Sequence, residues 1–198
     1  NFAEFVFALL NAKHKSKPMK KLFAILLLGA SFLGYAQKST QALPEHPRPD
    51  LMRTQWMNLN GSWDFTFDST FAIPSKFTQK IQVPFPWGSK LSGVKDEADV
   101  AWYHRTFQVP ASWGSKRVFL NIGASDWHTS VYVNGQFVGE HKGGYTPFDF
   151  DVTTFIKKGQ AQRVDIRVDD KRRMFTLYGK QGYGNARGLW QTVYLDAR

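Results

Sequence analysis

The tract Val131-Tyr132-Val133-Asn134-Gly135-Gln136-Phe137-Val138-Gly139 narrows what this chain can fold into more than any other. Asn134-Gly135 suits a type I′ turn, because both central residues of that turn take positive φ and Asn and Gly tolerate it. Apolar residues alternate with small or polar ones on either side, so the tract reads as a β-hairpin. The period of two recurs elsewhere. Val118, Leu120 and Ile122 share one face of a strand, and Val164, Ile166 and Val168 share one face of another, opposite Asp165 and Arg167. Strands are expected at 61–67, 80–83, 101–109, 117–122, 129–133, 136–140, 148–152, 163–168 and 189–195, separated by turn signals. Only 153–159, ended by Gly159, suggests a helical turn. Many short strands without a long helical pattern imply an all-β sandwich.

At 198 residues the chain has room for one ordinary domain with a substantial core, and none for a barrel of about 250 residues. The formal charge of +10 is inflated by the first 36 residues, where Lys13, Lys15, Lys17, Lys20 and Lys21 face Glu4 alone; beyond them it is +6. The later clusters, Lys157-Lys158 and Lys171-Arg172-Arg173, are short and interleaved with Asp, the pattern of a solvated surface rather than a nucleic-acid footprint. Absence of cysteine excludes disulfides and thiolate metal sites. The histidines, His14, His46, His104, His128 and His141, lack ligand spacing, so no metal or cofactor is expected; His104 and His128 are the two that could face a ligand.

Met19-Lys20-Lys21, the apolar run 22–28 and the small residues Gly34 and Ala36 have the layout of a secretory signal peptide over 19–36, with a mature chain from Gln37 in the periplasm or outside the cell. The run is too short for a transmembrane span of about 20 residues, so no membrane attachment is expected after cleavage. Residues 1–18 read as an upstream extension. Residues 37–55, with Pro44, Pro47 and Pro49, read as an extended leader, and 56–198 as the folded domain.

Several motifs follow one another in a set order: Leu59-Asn60-Gly61-Ser62-Trp63-Asp64-Phe65, Val83-Pro84, Trp102-Tyr103-His104-Arg105, the hairpin above, Gly143-Gly144-Tyr145-Thr146-Pro147-Phe148, and Gly188-Leu189-Trp190-Gln191-Thr192-Val193-Tyr194-Leu195. Together they resemble the N-terminal sugar-binding domain of glycoside hydrolase family 2, the family of β-galactosidases, β-glucuronidases and β-mannosidases, over roughly residues 56–195. The resemblance implies a jelly roll. It also implies an intact protein that continues into an immunoglobulin-like sandwich and a (β/α)₈ barrel carrying two catalytic Glu residues, so these 198 residues alone should be catalytically silent.

Glycoside hydrolysis needs two carboxylates about 5–5.5 Å apart for retention, or about 6.5–9.5 Å for inversion. Asp149 and Asp151 alternate on one strand at roughly 7 Å, but Phe148, Phe150 and Val152 form the opposite, core-facing set, which makes the two acids a solvated face. Asp169-Asp170 precedes Lys171-Arg172-Arg173 and reads as a salt-bridged turn. Asp96, Glu97 and Asp99 lie in a loop with Gly93, and loops on a rigid sandwich carry binding residues more often than strands do. Asp99 is the candidate taken from this loop.

The glycine-rich tract 177–187 holds the other candidates. Gln181, Tyr183, Asn185 and Arg187 offer stacking and hydrogen bonds to hydroxyls, and Gly179, Gly182, Gly184 and Gly188 allow close backbone approach. It is neither a Walker loop nor a dinucleotide fingerprint. The resemblance implies that this loop reaches the barrel's active site, where an Asp six residues before the Gly of Gly-Leu-Trp contacts the sugar. Gly182 stands there in this chain, so that contact does not transfer; Gln181 or Asn185 could replace it, or the loop could only pack against the next domain. Trp63 and Trp190 read as core. Trp87, between Pro86 and Gly88, reads as a loop-borne sugar platform, and Trp127 beside Asp126 and His128 is similar.

Three functions fit these observations. One is the sugar-binding domain of a secreted, β-galactosidase-like glycosidase whose partners are its carbohydrate substrate and its own further domains; another is a stand-alone, non-catalytic carbohydrate-binding module. A purely structural module is the third.

Overall fold

The computed structural model describes residues 41–171 and 187–198. The extension 1–18, the expected signal peptide and the candidates Gln181, Tyr183 and Asn185 lie outside the described residues.

Twelve strands are formed among the described residues: β1 (Trp56–Asn58), β2 (Gly61–Phe67), β3 (Gln79–Val83), β4 (Val100–Gln108), β5 (Val118–Ile122), β6 (Ser125–Asp126), β7 (His128–Val133), β8 (Gln136–Lys142), β9 (Phe148–Asp151), β10 (Ala161–Asp169), β11 (Gly188–Leu189) and β12 (Val193–Ala197). They make a six-stranded sheet in the order β3-β2-β4-β10-β7-β8, a four-stranded sheet in the order β1-β12-β5-β9, and the short pair β11-β6. Every strand pairing is antiparallel. Among the described residues helical structure is confined to three 3₁₀ turns, Pro49–Leu51, Ala111–Trp113 and Thr153–Phe155.

The alternation read from the sequence places the core. Val118, Leu120 and Ile122 of β5 and Val193, Leu195 and Ala197 of β12 are buried together with Trp63 and Phe65 of β2, Tyr103 of β4, Val131 and Val133 of β7, and Val164, Ile166 and Val168 of β10. Burial of each large apolar side chain contributes about 1.5–3 kcal/mol. The hairpin β7–β8 turns at Asn134 (φ 51°) and Gly135 (φ 80°), the positive pair that its sequence requires.

Three expectations need correcting. The single strand expected over 189–195 is two: Trp190 and Gln191 hydrogen-bond through their amides to the Ala124 carbonyl, bending the chain between the small pair and the four-stranded sheet. Asp165 and Arg167 are as buried as the apolar set opposite them. β10 sits in the middle of its sheet, and its second face is covered: Asp165 is bonded by His104 at 2.9 Å and Arg163 at 2.6 Å, while Arg167 donates to the Thr70 and Ser69 carbonyls beneath the Phe71 ring. The helical turn expected over 153–159 is only the 3₁₀ turn Thr153–Phe155. The leader adds structure that its prolines did not suggest, since Asn60 and Asn58 donate side-chain hydrogen bonds to the Leu43 carbonyl and fasten it near β1.

Candidate functional site

Gly188 opens β11 with φ +76°, and an added Cβ there would collide with the Tyr103 hydroxyl and the Trp87 ring. Only glycine lets the chain pass so close to this floor. Tyr103 is fully buried in it and accepts a hydrogen bond from the Leu189 amide at 3.2 Å; burial pushes its phenol well above the usual range. Trp87 lies in the same floor, 1 % exposed and packed against Phe65, Phe67 and Tyr103. The sequence reading of Trp87 as a solvent-facing platform is therefore corrected. A flank of Pro86 and Gly88 marks a loop position, but it does not say which way the ring turns.

Arg187 rests on that floor. Its guanidinium lies 5.4 Å from the centre of the Trp87 ring and is almost wholly buried. Nη1 meets Asp96 Oδ1 at 2.6 Å, Nη2 meets Asp99 Oδ1 at 2.5 Å, and Nε meets Asp170 Oδ2 at 2.8 Å. Nη2 also donates to the Asp170 carbonyl at 2.8 Å. A buried guanidinium needs this many acceptors, because leaving water is expensive for a charge unless the surroundings replace its hydrogen bonds. Burial works against its charge, yet the bonds to Asp99 and Asp170 and the field of Asp96 together hold it above its ordinary range.

Two nearby carboxylates, Asp170 and Asp126, bear the opposite strain. Asp170 is pushed up to about 6, chiefly by burial; the Arg187 bond and charge oppose the shift, and the charges of Asp126 and Asp99 add to it. Asp126, whose side chain packs on Gly144, is also raised by burial, against the pull of Arg187. Asp170 and Arg187 flank the tract 172–186, so one side chain ties its two ends together and fastens both to the 96–99 loop. The Asp170 amide reinforces this by donating to the Asp99 carbonyl at 2.9 Å.

Three aromatic residues stand beside this cluster. Trp127, next to Asp126, is 47 % exposed, and Tyr145 is 78 % exposed. Trp190, expected in the core, is only half-buried: its ring meets Tyr145 edge-on at 5.8 Å, and its Nε1 donates to the Gly144 carbonyl at 2.8 Å. The Gly143 amide donates to the Trp127 carbonyl at 3.1 Å, which joins the two loops. Rings of this kind offer apolar faces to pyranoses, and Asp126 offers acceptors to hydroxyls.

Of the sequence candidates, the structure thus brings together Arg187, Asp99 and Trp87, with Trp87 beneath rather than beside the surface. Of the salt-bridged turn expected at 169–173, Asp169 pairs with Lys171 and also with Arg167, while Asp170 bonds to Arg187; Arg172 and Arg173 lie outside the described residues. Tyr145 was missed, although the Gly143-Gly144 pair ahead of it marks a projecting turn. Asp149 and Asp151 each bind an arginine, Arg198 and Arg117, both at 2.6 Å. His104 is bonded to buried Asp165, and His128 to Glu140 at 2.9 Å. Among the described residues no group of three or more His, Cys, Asp or Glu could hold a metal ion, and no helix is long and apolar enough to cross a membrane.

Residues 51–195 match the family model described as glycosyl hydrolases family 2, sugar binding domain. The chain belongs to glycoside hydrolase family 2. It carries the family's N-terminal sugar-binding domain. This family 2 chain is 36 % identical over 151 residues to a β-galactosidase of Thermoanaerobacter pseudethanolicus, covering 70 % of this chain and 19 % of that protein. It is 32 % identical over 138 residues to a β-glucuronidase of Paenibacillus borealis, covering 65 % and 23 %. The solved β-glucuronidase of Ruminococcus gnavus in complex with uronic deoxynojirimycin superposes with a TM-score of 0.62 at 24 % identity, over 72 % of this chain and 29 % of that one, a likeness of fold. The chain thus spans about a fifth to a quarter of the length of the curated relatives named.

Proposed function

We propose that this family 2 domain serves a secreted glycosidase that hydrolyses O-glycosidic bonds, by buttressing a catalytic barrel and presenting the tract 172–186 to the substrate. The domain is a jelly roll, delivered by the signal peptide 19–36 and active only within the longer protein. There, one barrel Glu attacks the anomeric carbon while a second protonates the departing oxygen, and water then releases the glycosyl group with the second Glu acting as base. Three carboxylates of the candidate site, Asp96, Asp99 and Asp170, spend oxygens on Arg187. The observation that carries this reading is the closure of both ends of the tract by that buried arginine. A loop held so firmly at its root can offer Gln181, Tyr183 and Asn185 to a neighbouring pocket without loosening the sandwich.

The test compares the 198-residue chain with the product of a gene extended downstream of Arg198, using 4-nitrophenyl β-galactoside and β-glucuronide. The extended protein should release nitrophenol and the short chain should not. Turnover by the short chain refutes the reading. A second reading, a carbohydrate-binding module acting alone, draws on the exposed rings of Trp127 and Tyr145. Millimolar or tighter oligosaccharide binding by the short chain, abolished in Trp127→Ala, would favour it.

A further inference from the structure

The four-stranded sheet turns Val118, Leu120, Val193 and Leu195 to the core, and its other face is not simply solvated. Cross-strand register aligns Asn58, Tyr194, Asn121 and Asp149 in one row there, and Trp56, Asp196, Phe119 and Asp151 in the next. Two polar members of these rows are buried, Asp196 at 5 % exposure and Asn121 at 7 %. Asn121 Nδ2 donates to Asp196 Oδ1 at 3.2 Å, and Arg198 Nη2 donates to Asn121 Oδ1 at 3.1 Å. Arg198 also binds Asp149 at 2.6 Å and lies 3.9 Å from the centre of the Phe119 ring. On the leader side, Arg53 closes Asp196 at 3.1 Å. Planar polar groups locked to one another in this way form a pre-organised floor, as recognition sites for hydroxyl-rich ligands require.

A cavity of about 460 Å³ stands over this floor, within the range of small-molecule sites. The leader supplies Arg48 and Arg53 to its wall, the opposite side supplies Tyr145 and Gln191, and Tyr194 and Arg198 rise from the sheet. Three guanidiniums therefore line the cavity, with Asp149 the one carboxylate among its lining residues. Arg48 pairs with Asp50 at 3.1 Å, and both side chains are more than half exposed. An exposed ion pair contributes about 0–1 kcal/mol, so exchanging Asp50 for a ligand's carboxylate costs little. Arg53 is also more than half exposed, and it keeps its Nε on buried Asp196 while its remaining donors face outward. Guanidinium forks match planar carboxylates, and amide and tyrosine side chains match hydroxyls and ring faces.

We propose that this cavity is a binding site for acidic oligosaccharides: a uronate carboxylate docks on Arg48 and Arg53, hydroxyls bond to Gln191 and Asn121, and a sugar ring packs beside Tyr194 and Tyr145. The site requires neither the tract 172–186 nor hydrolysis, so it stands or falls apart from the glycosidase reading above.

Calorimetric titration of the 198-residue chain with trigalacturonate and with neutral cellotriose tests it. Trigalacturonate should bind at least about tenfold more tightly than cellotriose, and Arg48→Ala, a change at an exposed side chain, should erase most of that preference. Arg53→Gln should act the same way. Lys157→Ala/Lys158→Ala removes two positive charges, one more than Arg48→Ala, away from the cavity lining and should leave affinity unchanged, which separates this site from the general attraction of a basic chain. In ¹H–¹⁵N spectra the side-chain amides of Gln191 and Asn121 should shift on titration. Absence of trigalacturonate binding, equal affinity for the neutral sugar, equal loss in the lysine variant, or unmoved amides would each overturn the proposal.

Discussion

Replacing Arg187 by Ala removes a cation that serves Asp96, Asp99 and Asp170 together. Asp96 and Asp99 are exposed enough to be rehydrated, so most of the loss should come from Asp170, whose side chain is more than four-fifths buried. Breaking a buried ion pair by deleting one partner costs about 3–5 kcal/mol, because the other charge is left behind. For a domain of this size about 1 kcal/mol lowers Tm by about 2–4 °C, so a fall of roughly 6–20 °C is expected at pH 7. The loss must depend on pH in one direction. Asp170 already titrates near 6, and without Arg187 its proton is held more tightly still, so acidification below that range neutralises the stranded carboxylate. Circular dichroism melts at pH 5 and pH 7.5 should therefore show a smaller penalty at the lower pH, and adding Asp170→Asn to Arg187→Ala should recover part of the loss at the higher one. A penalty below about 1 kcal/mol, or one that does not change between the two pH values, would refute the account of this cluster.

Further outcomes follow from other positions. Gly188→Ala meets both a positive φ and the buried Tyr103–Trp87 floor, and should cost about 3 kcal/mol or more, read as a fall in the urea midpoint. Gly135→Ala meets only the positive φ, since nothing lies within 4 Å of the added Cβ, and should cost about 1 kcal/mol in the same assay. For Asp170→Asn alone, the sign follows from a folded-state pKa raised above the unfolded one. The native protein binds the proton more tightly, so the stabilisation attached to the protonated carboxyl is present below about pH 4 and is lost as pH rises to about 6. The Tm difference, wild type minus Asp170→Asn, should fall across that interval; a rise would contradict the burial-dominated shift.

Strands were legible in this sequence wherever one face is apolar and the other polar, as in β5, because period-two alternation records that asymmetry directly. β10 shows the limit. Its polar set, Asp165 and Arg167, is buried by partners that arrive from β4 and from the 69–71 loop, and nothing local announces them. β1 was missed because Trp56–Asn58 is too short to show a period. At the site, Arg187 and Asp99 stood out as polar residues in loops, and they do meet. Their meeting with Asp96 and Asp170 brings together positions as much as 91 residues apart, which no spacing rule detects. The error over Trp87 has the same origin: local turn chemistry gives the path of the backbone, whereas burial of the ring depends on Phe65, Phe67 and Tyr103 from other strands.

The closure of residues 170 and 187 upon each other has a bearing on evolvability. A scaffold whose seam is sealed at that junction is nearly indifferent to how much polypeptide hangs from it, since lengthening a loop adds entropy only logarithmically, about 0.6 kcal/mol per doubling. Lineages could rewrite, shorten or extend the stretch between without renegotiating the layers beneath, and an engineer could graft a foreign segment there with the same freedom.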